Sequence, residues 1–327
     1  MSTSLRRVIP MLIGVAVSAL FLWMAARNVE WSRLVDELGR VRAVPFAIGA
    51  VLALGALIAN AYRWRLLLGE TARVTVADAF DFMAIGYISG LVMPQRLGDI
   101  VKVVMLARRG GASRTSVLGT VVVERLTDII MLLVLAAIFV LTVRLSVLLQ
   151  MSLIVVALAA AATVLVIRYH RTLSPPLFSL ARKVAPGRII DVVEAQVEKL
   201  AAGLEVARDG RGFATAMLLA ALAWVLSGIS MGAYVSAFNL PVSWYAGFLV
   251  ILLTNLGGIL PSSPGSIGVY HYMTILALGT WSVDQTSAMS FAIVTHAMTM
   301  LLIMVTGFWA LTRQGLSLRS VRDGAVS

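Results

Sequence analysis

The chain has 327 residues, of which 60% are hydrophobic and 13% charged, with a formal net charge of +11. Soluble domains carry about 25% charged residues, so this composition excludes a soluble protein and points to an integral membrane one. No polar block is long enough for a soluble catalytic domain, and the lack of cysteine excludes disulfides, thiolate chemistry and Cys-ligated metals.

The first apolar run, residues 8–26, follows Arg6 and Arg7 and leads directly into Arg27. It is longer than the roughly 7–15 residues of a cleavable signal core, so it reads as a retained span. Further runs long enough to cross a bilayer, about 20 residues each, occupy 43–62, 117–141, 147–167, 213–238 and 288–311. Two longer apolar regions, 79–107 and 244–280, are interrupted by "MPQRLGD" and by "ILPSSPGSIG". Hydropathy alone would score about eight spans. Between the halves, residues 168–212 are rich in Arg and Lys, and 187–209 has the periodicity of an amphipathic surface helix.

Lys and Arg in short loops set orientation. The 168–212 segment, the start and the tail after residue 313 are basic and are expected in the cytoplasm. The turns at 239–243 and 281–284 lack Lys and Arg and are expected outside. Only the loop 27–42, with Arg27, Arg33, Arg40 and Arg42, conflicts with this order. The arginines flank apolar spans, so anionic lipid headgroups, rather than nucleic acid, are the expected counter-charge.

Six full crossings require the first broken region to enter and leave on the inner side, and the second on the outer side. The expected fold is therefore an all-α integral membrane protein, a single polytopic domain with six full transmembrane helices and two opposed re-entrant helical hairpins. "GLVMPQRLGDI" and "GGILPSSPGSI" also share a Gly, Pro and Gly-x-Ile pattern, the mark of an inverted repeat.

Irregular backbone at membrane depth is tolerated where it is buried in protein or lines a wet cavity. Pro94 and Pro264 suit the first turn of a helix, and Gly98, Pro261 and Gly268 mark the breaks. Helices starting there would aim N–H groups inward, an arrangement suited to phosphate. A helix from Arg96 would put Arg96, Asp99 and Lys102 on one face, with Asp99 either orienting a ligand or merely cancelling a cation. Ser262, Ser263 and Ser266 offer hydroxyls, and Gly265 permits close backbone approach. In "VVVERLTDII", Glu124 and Asp128 lie one turn apart beside Arg125. They would pair with Arg96 and Lys102 or carry a coupling proton. His271 and His296 are hydrogen-bonding or protonatable candidates, with His296 the third proton-coupling candidate; no metal-ligand spacing or cofactor motif accompanies them. Arg63 and Arg65 in "YRWRLLL" read as interface anchors, with Tyr62 and Trp64 as belt aromatics.

The segments "MPQRLGDIVKVVMLARRGG", "LGTVVVERLTDIIMLL" and "LPSSPGSIGVYHYMTILAL", with "YRWRLLL", resemble the lysylphosphatidylglycerol synthase transmembrane region, or flippase-like domain family. The resemblance implies a lipid-translocating membrane fold. Its best-known members carry a fused aminoacyl transferase; this chain ends at Ser327, so that activity is expected to be absent. It carries over to Pro94, Arg96, Gly98, Asp99, Lys102, Glu124, Arg125, Asp128, Pro261, Pro264, Gly265 and Gly268. Where many relatives place Arg-Glu, this chain has Tyr270-His271, and Ser266 replaces a second glycine.

The expected function is movement of an anionic or phosphate-bearing lipid across the bacterial inner membrane, without catalysis or cofactor. The expected partners are the lipids themselves and envelope-lipid biosynthesis enzymes. An intramembrane enzyme using Glu124, Asp128, His271 and His296, a small-anion transporter, and an accessory subunit of an envelope-lipid pathway remain open at this level.

Overall fold

The structure is a computed structural model that describes residues 3–92, 98–143 and 210–321, with isolated positions between 147 and 158. The helices are α1 (Thr3–Ala26), α2 (Trp31–Leu38), α3 (Ala43–Leu68), α4 (Val76–Val92), α5 (Gly98–Gly110), α6 (Arg114–Thr142), α7 (Gly210–Ala237), α8 (Ala246–Gly257), α9 (Val269–Gly279) and α10 (Gln285–Arg313). Among the described residues there is no strand. The expected span 147–167 lies largely outside the described residues, and the amphipathic segment 187–209 entirely so.

Four described helices, α3, α6, α7 and α10, are long and apolar enough to cross a membrane, and α1 with α2 passes the same test as a pair bent by 87°. At 1.5 Å per residue the four run to about 40 Å, the thickness of a bilayer with its headgroups. The arms of the broken regions are shorter: α8 and α9 reach only about 18 and 16 Å, against about 30 Å of hydrocarbon. Breaks that hydropathy placed near 93–98 and 259–268 thus fall between separate helices.

The chain forms two compact units, Met1–Ala61 with Val76–Met105 and Ala221–Ser327, and Tyr62–Thr75 with Leu106–Ala220. In the first unit, α10 is the central element, packing against α4, α9, α2 and α1. Its N-cap is Asp284, whose Oδ1 accepts the Ser287 N–H at 3.1 Å, and Gln285 Nε2 donates to the carbonyls of Met24 and Ala25, capping α1. At its other end Gln314 Nε2 donates to Asp81 Oδ2 at 2.7 Å and Asp78 Oδ1 at 3.3 Å in α4. Arg313 lies 3.5 Å from the same Asp81 oxygen. The first arm of the first broken region is therefore fastened to the C-terminal end of α10. The last arm of the second joins its N-terminal end through residues 280–284.

The same frame accounts for the basic loop 27–42. Arg33 pairs with Glu37 at 3.2 Å and with Asp284 at 3.0 Å, while Ser287 donates to Glu37 at 2.7 Å. The loop therefore sits at the same end of the unit as the 281–284 turn, which lacks Lys and Arg and was expected outside. Leu34 closes a small core with Ala25, Val29 and Met289. In the second unit, Leu67, Val123 and Ala216 form the packed centre.

Candidate functional site

In the first broken region α4 and α5 fold back on one another at Gly86 and Gly98. A Cβ on Gly86 would lie 2.8 Å from the Gly98 carbonyl oxygen, and one on Gly98 would collide with that of Gly86. Only glycine at both positions lets the backbones approach this closely, as expected of a hairpin break. Lys102, 1% exposed, follows one turn after Asp99 and lies 3.3 Å from its Oδ1. A buried ammonium requires such a partner, because desolvation in an apolar helix costs several kcal/mol, as an order of magnitude. Asp99 thus neutralises a cation. Pro94 and Arg96 lie outside the described residues.

The second broken region is built differently from the sequence reading. Pro264 does not open an α-helix: Pro264–Ser266 is a single 3-10 turn with Gly265 at φ 75°, and α9 begins only at Val269. The separator is Gly268, at φ 87°, where a Cβ would run into the Ser18 carbonyl and lie 2.9 Å from the Leu22 nitrogen in α1. That positive φ and the contact with α1 both require glycine, and together they stop a helix from running through.

Side chains hold this turn in place. Ser18 donates to Ser263 Oγ at 2.9 Å and accepts the Ser263 N–H at 2.7 Å, and Ser262 donates to Ser266 at 3.3 Å. His296 Nε2 lies 2.9 Å from the Gly265 carbonyl, so this nitrogen carries the proton. The Gly268 N–H donates to His271 Nδ1 at 3.4 Å, capping α9. Tyr270 stacks on His296 with centroids 4.4 Å apart and donates to Thr295 at 3.1 Å. The two histidines meet edge-to-face at 5.0 Å. The 3-10 turn also packs against α4, so the tip of the second break touches the first arm of the first.

The second unit contains a cluster of ions between the C-terminal part of α3 and the first half of α6. Arg63, 1% exposed, donates from Nη1 to Asp128 Oδ1 at 2.6 Å and to Thr127 at 3.1 Å, with Glu124 3.7 Å from Nη2. Arg125 adds contacts of 3.4 Å to Asp128 and 4.0 Å to Glu124. Two cations face two carboxylates, a balance that satisfies buried charge. Among the described residues, Arg63 from α3 joins Arg125 as a partner of Glu124 and Asp128. Arg63 and Trp64 are therefore not interface anchors: Trp64 is fully buried and donates Nε1–H to Thr120 at 3.1 Å. Tyr62 is exposed, as a belt residue would be. Sequence reading misassigned Arg63 and missed Ser18, Thr295 and Asp81. Only the placement of Asp78 and Asp81 in an otherwise apolar helix could have signalled the last.

The long apolar helices, buried ion cluster and serine-bearing breaks define a multi-pass membrane protein with polar interior features. The sequence model of the lysylphosphatidylglycerol synthase TM region matches residues 11–307, and the chain belongs to that family. A "UPF0104 membrane protein" of Methanothermobacter thermautotrophicus is 23% identical over 332 residues, covering 95% of this chain and 91% of the relative.

Proposed function

We propose that the protein moves an anionic, phosphate-bearing lipid between the leaflets of a bacterial inner membrane, with both termini in the cytoplasm. The observation that carries this reading is the accessible, serine-bearing turn at 259–267, wedged between two helices too short to cross and packed on α4. Irregular backbone survives at that depth where it is buried in protein or lines a polar cavity. The broken regions are read as re-entrant hairpins, since their arms attach at opposite ends of α10. A headgroup would pass along the polar surface of the breaks while its tails stay in the bilayer.

In this reading Arg96, Lys102 and the hydroxyls of Ser262 and Ser266 receive the phosphate, and Asp99 holds Lys102 in place. Ser263, Gly265, His271 and His296 shape the turn. Glu124, Arg125 and Asp128 with Arg63 maintain the fold of their unit rather than carry the coupling proton. Enzymes of envelope-lipid synthesis would supply the cargo. The family membership supports a membrane-lipid role and leaves the activity to measurement.

The test is dithionite bleaching of fluorescent phosphatidylglycerol in proteoliposomes. Faster loss of the inner-leaflet signal than in protein-free vesicles is expected, slowed by Arg96→Ala or Ser262→Ala with Ser266→Ala. Equal rates with and without protein would refute the proposal.

A further inference from the structure

Helix α2 divides its surface in four. Placed at about 100° per residue, Leu34 and Leu38 point one way, Trp31 and Val35 adjoin them, Ser32 and Asp36 come next, and Arg33 and Glu37 close the circle. Leu34 and Leu38 pack into the core with Ala25, Val29 and Met289. Arg33 and Glu37 are tied to Asp284 and Ser287 at the head of α10. Two sectors remain. Trp31 and Val35 stand 56% and 65% exposed, an apolar stripe beside the exposed polar pair Ser32 and Asp36.

The position of this stripe follows from chain geometry. Helix α1, at 24 residues, is long enough for a crossing, and α2 is bent 87° from it, so with α1 along the membrane normal α2 runs parallel to the membrane plane. On α1, Leu20 and Trp23 are also more than half exposed. Tryptophan favours the headgroup level, and a helix with separate apolar and polar sectors seats its apolar side at the acyl boundary. Exposed arginines ring the helix: Arg27 covers the Trp23 ring at 5.4 Å, and Arg40 and Arg42 follow α2.

We infer that α2 is a membrane-surface helix: Trp31 and Val35 are seated in the headgroup layer at that end, and Arg27, Arg40 and Arg42 hold lipid phosphates. The occupant is the bilayer itself, not a protein partner. This explains why a loop at the end with few cations carries four arginines: one is consumed by an internal ion pair and three meet phosphate. The inference requires only that α1 crosses the membrane, and stands apart from the transport proposal.

The absence of native cysteine makes the test direct. Val35→Cys, Trp31→Cys and Asp36→Cys are spin-labelled in vesicles of phosphatidylcholine and phosphatidylglycerol. Labels at 31 and 35 are expected to collide with oxygen in preference to a water-soluble nickel chelate, at a depth of about 5–10 Å, and the label at 36 the reverse. Equal chelate access at 35 and 36 would overturn the seating, as would a label at 35 shielded from both agents by protein. In the triple variant Arg27→Gln, Arg40→Gln, Arg42→Gln, the preference for spin-labelled phosphatidylglycerol over phosphatidylcholine is expected to fall at least about twofold. An unchanged preference with an unchanged melting temperature would refute the phosphate contacts.

Discussion

Arg63 reaches Asp128 across 65 positions of sequence with a 2.6 Å contact, and both carboxylates of the α6 motif share this one buried guanidinium. Removing one member of a buried pair leaves an uncompensated charge, which costs about 3–5 kcal/mol. Arg63→Met is therefore expected to lower the melting temperature in detergent sharply. Glu124→Gln together with Asp128→Asn on that background should restore much of it, because the unpaired charges are then gone. Failure of the triple variant to recover would show that Arg63 serves something other than these carboxylates.

How the sequence encodes this fold differs from element to element. Hydropathy located α3, α6, α7 and α10 because a helix in lipid must be apolar along its whole length. Both breaks were legible for the same reason, since Pro, Gly and charge cannot continue such a run. The role of Arg63 was not. An Arg beside Trp at the end of an apolar run looks the same whether it snorkels outward or turns inward, and its partners lie more than sixty residues away. The start of α9 was misplaced because proline marks a permissible first turn without requiring one. Gly268, required by its positive φ and by the approach of α1, decided the boundary instead. Charge counting in loop 27–42 could not see that Arg33 pairs with Glu37 and Asp284.

Gly268 offers a second prediction. At φ 87° a side chain adds backbone strain of about 1–3 kcal/mol, and the Cβ of alanine would also meet the Ser18 carbonyl in α1. Gly268→Ala is expected to destabilise the protein by at least that strain and to slow lipid movement by separating α1 from the turn. Gly279, whose Cβ would meet nothing within 4 Å, is the control: Gly279→Ala should leave melting within about 0.5 kcal/mol.

The N-cap of α10 makes a pH prediction. Burial pushes the Asp284 carboxyl up, but the Ser287 hydroxyl and N–H, with Arg33, outweigh it and hold the group below its ordinary 3.8. A depressed folded value means that this stabilisation is complete above the unfolded value of 3.8 and is lost as pH falls through the lower folded one. Asp284→Asn keeps a capping oxygen but loses the charge. The melting advantage of the native protein over this variant should be constant from pH 7 to about pH 5 and shrink below about pH 4. A difference that does not change down to pH 3 would show that the charge contributes nothing.

His296 tests whether the shape of the turn, rather than its composition alone, matters to the proposed movement of lipid. Its Nε2–H is donated to the Gly265 carbonyl, and its ring is covered by Tyr270. Leucine fills similar space but offers no donor, so His296→Leu strands a carbonyl at a cost of about 1–3 kcal/mol and frees the turn to drift from α4. Glutamine can return an amide N–H to the same carbonyl. Lipid movement in proteoliposomes is expected to fall severalfold in His296→Leu and to recover in His296→Gln. If both variants melt lower yet transport at the native rate, the turn's anchoring serves stability alone. If both lose transport equally, the imidazole itself is required, and a protonation step at His296 becomes the better account.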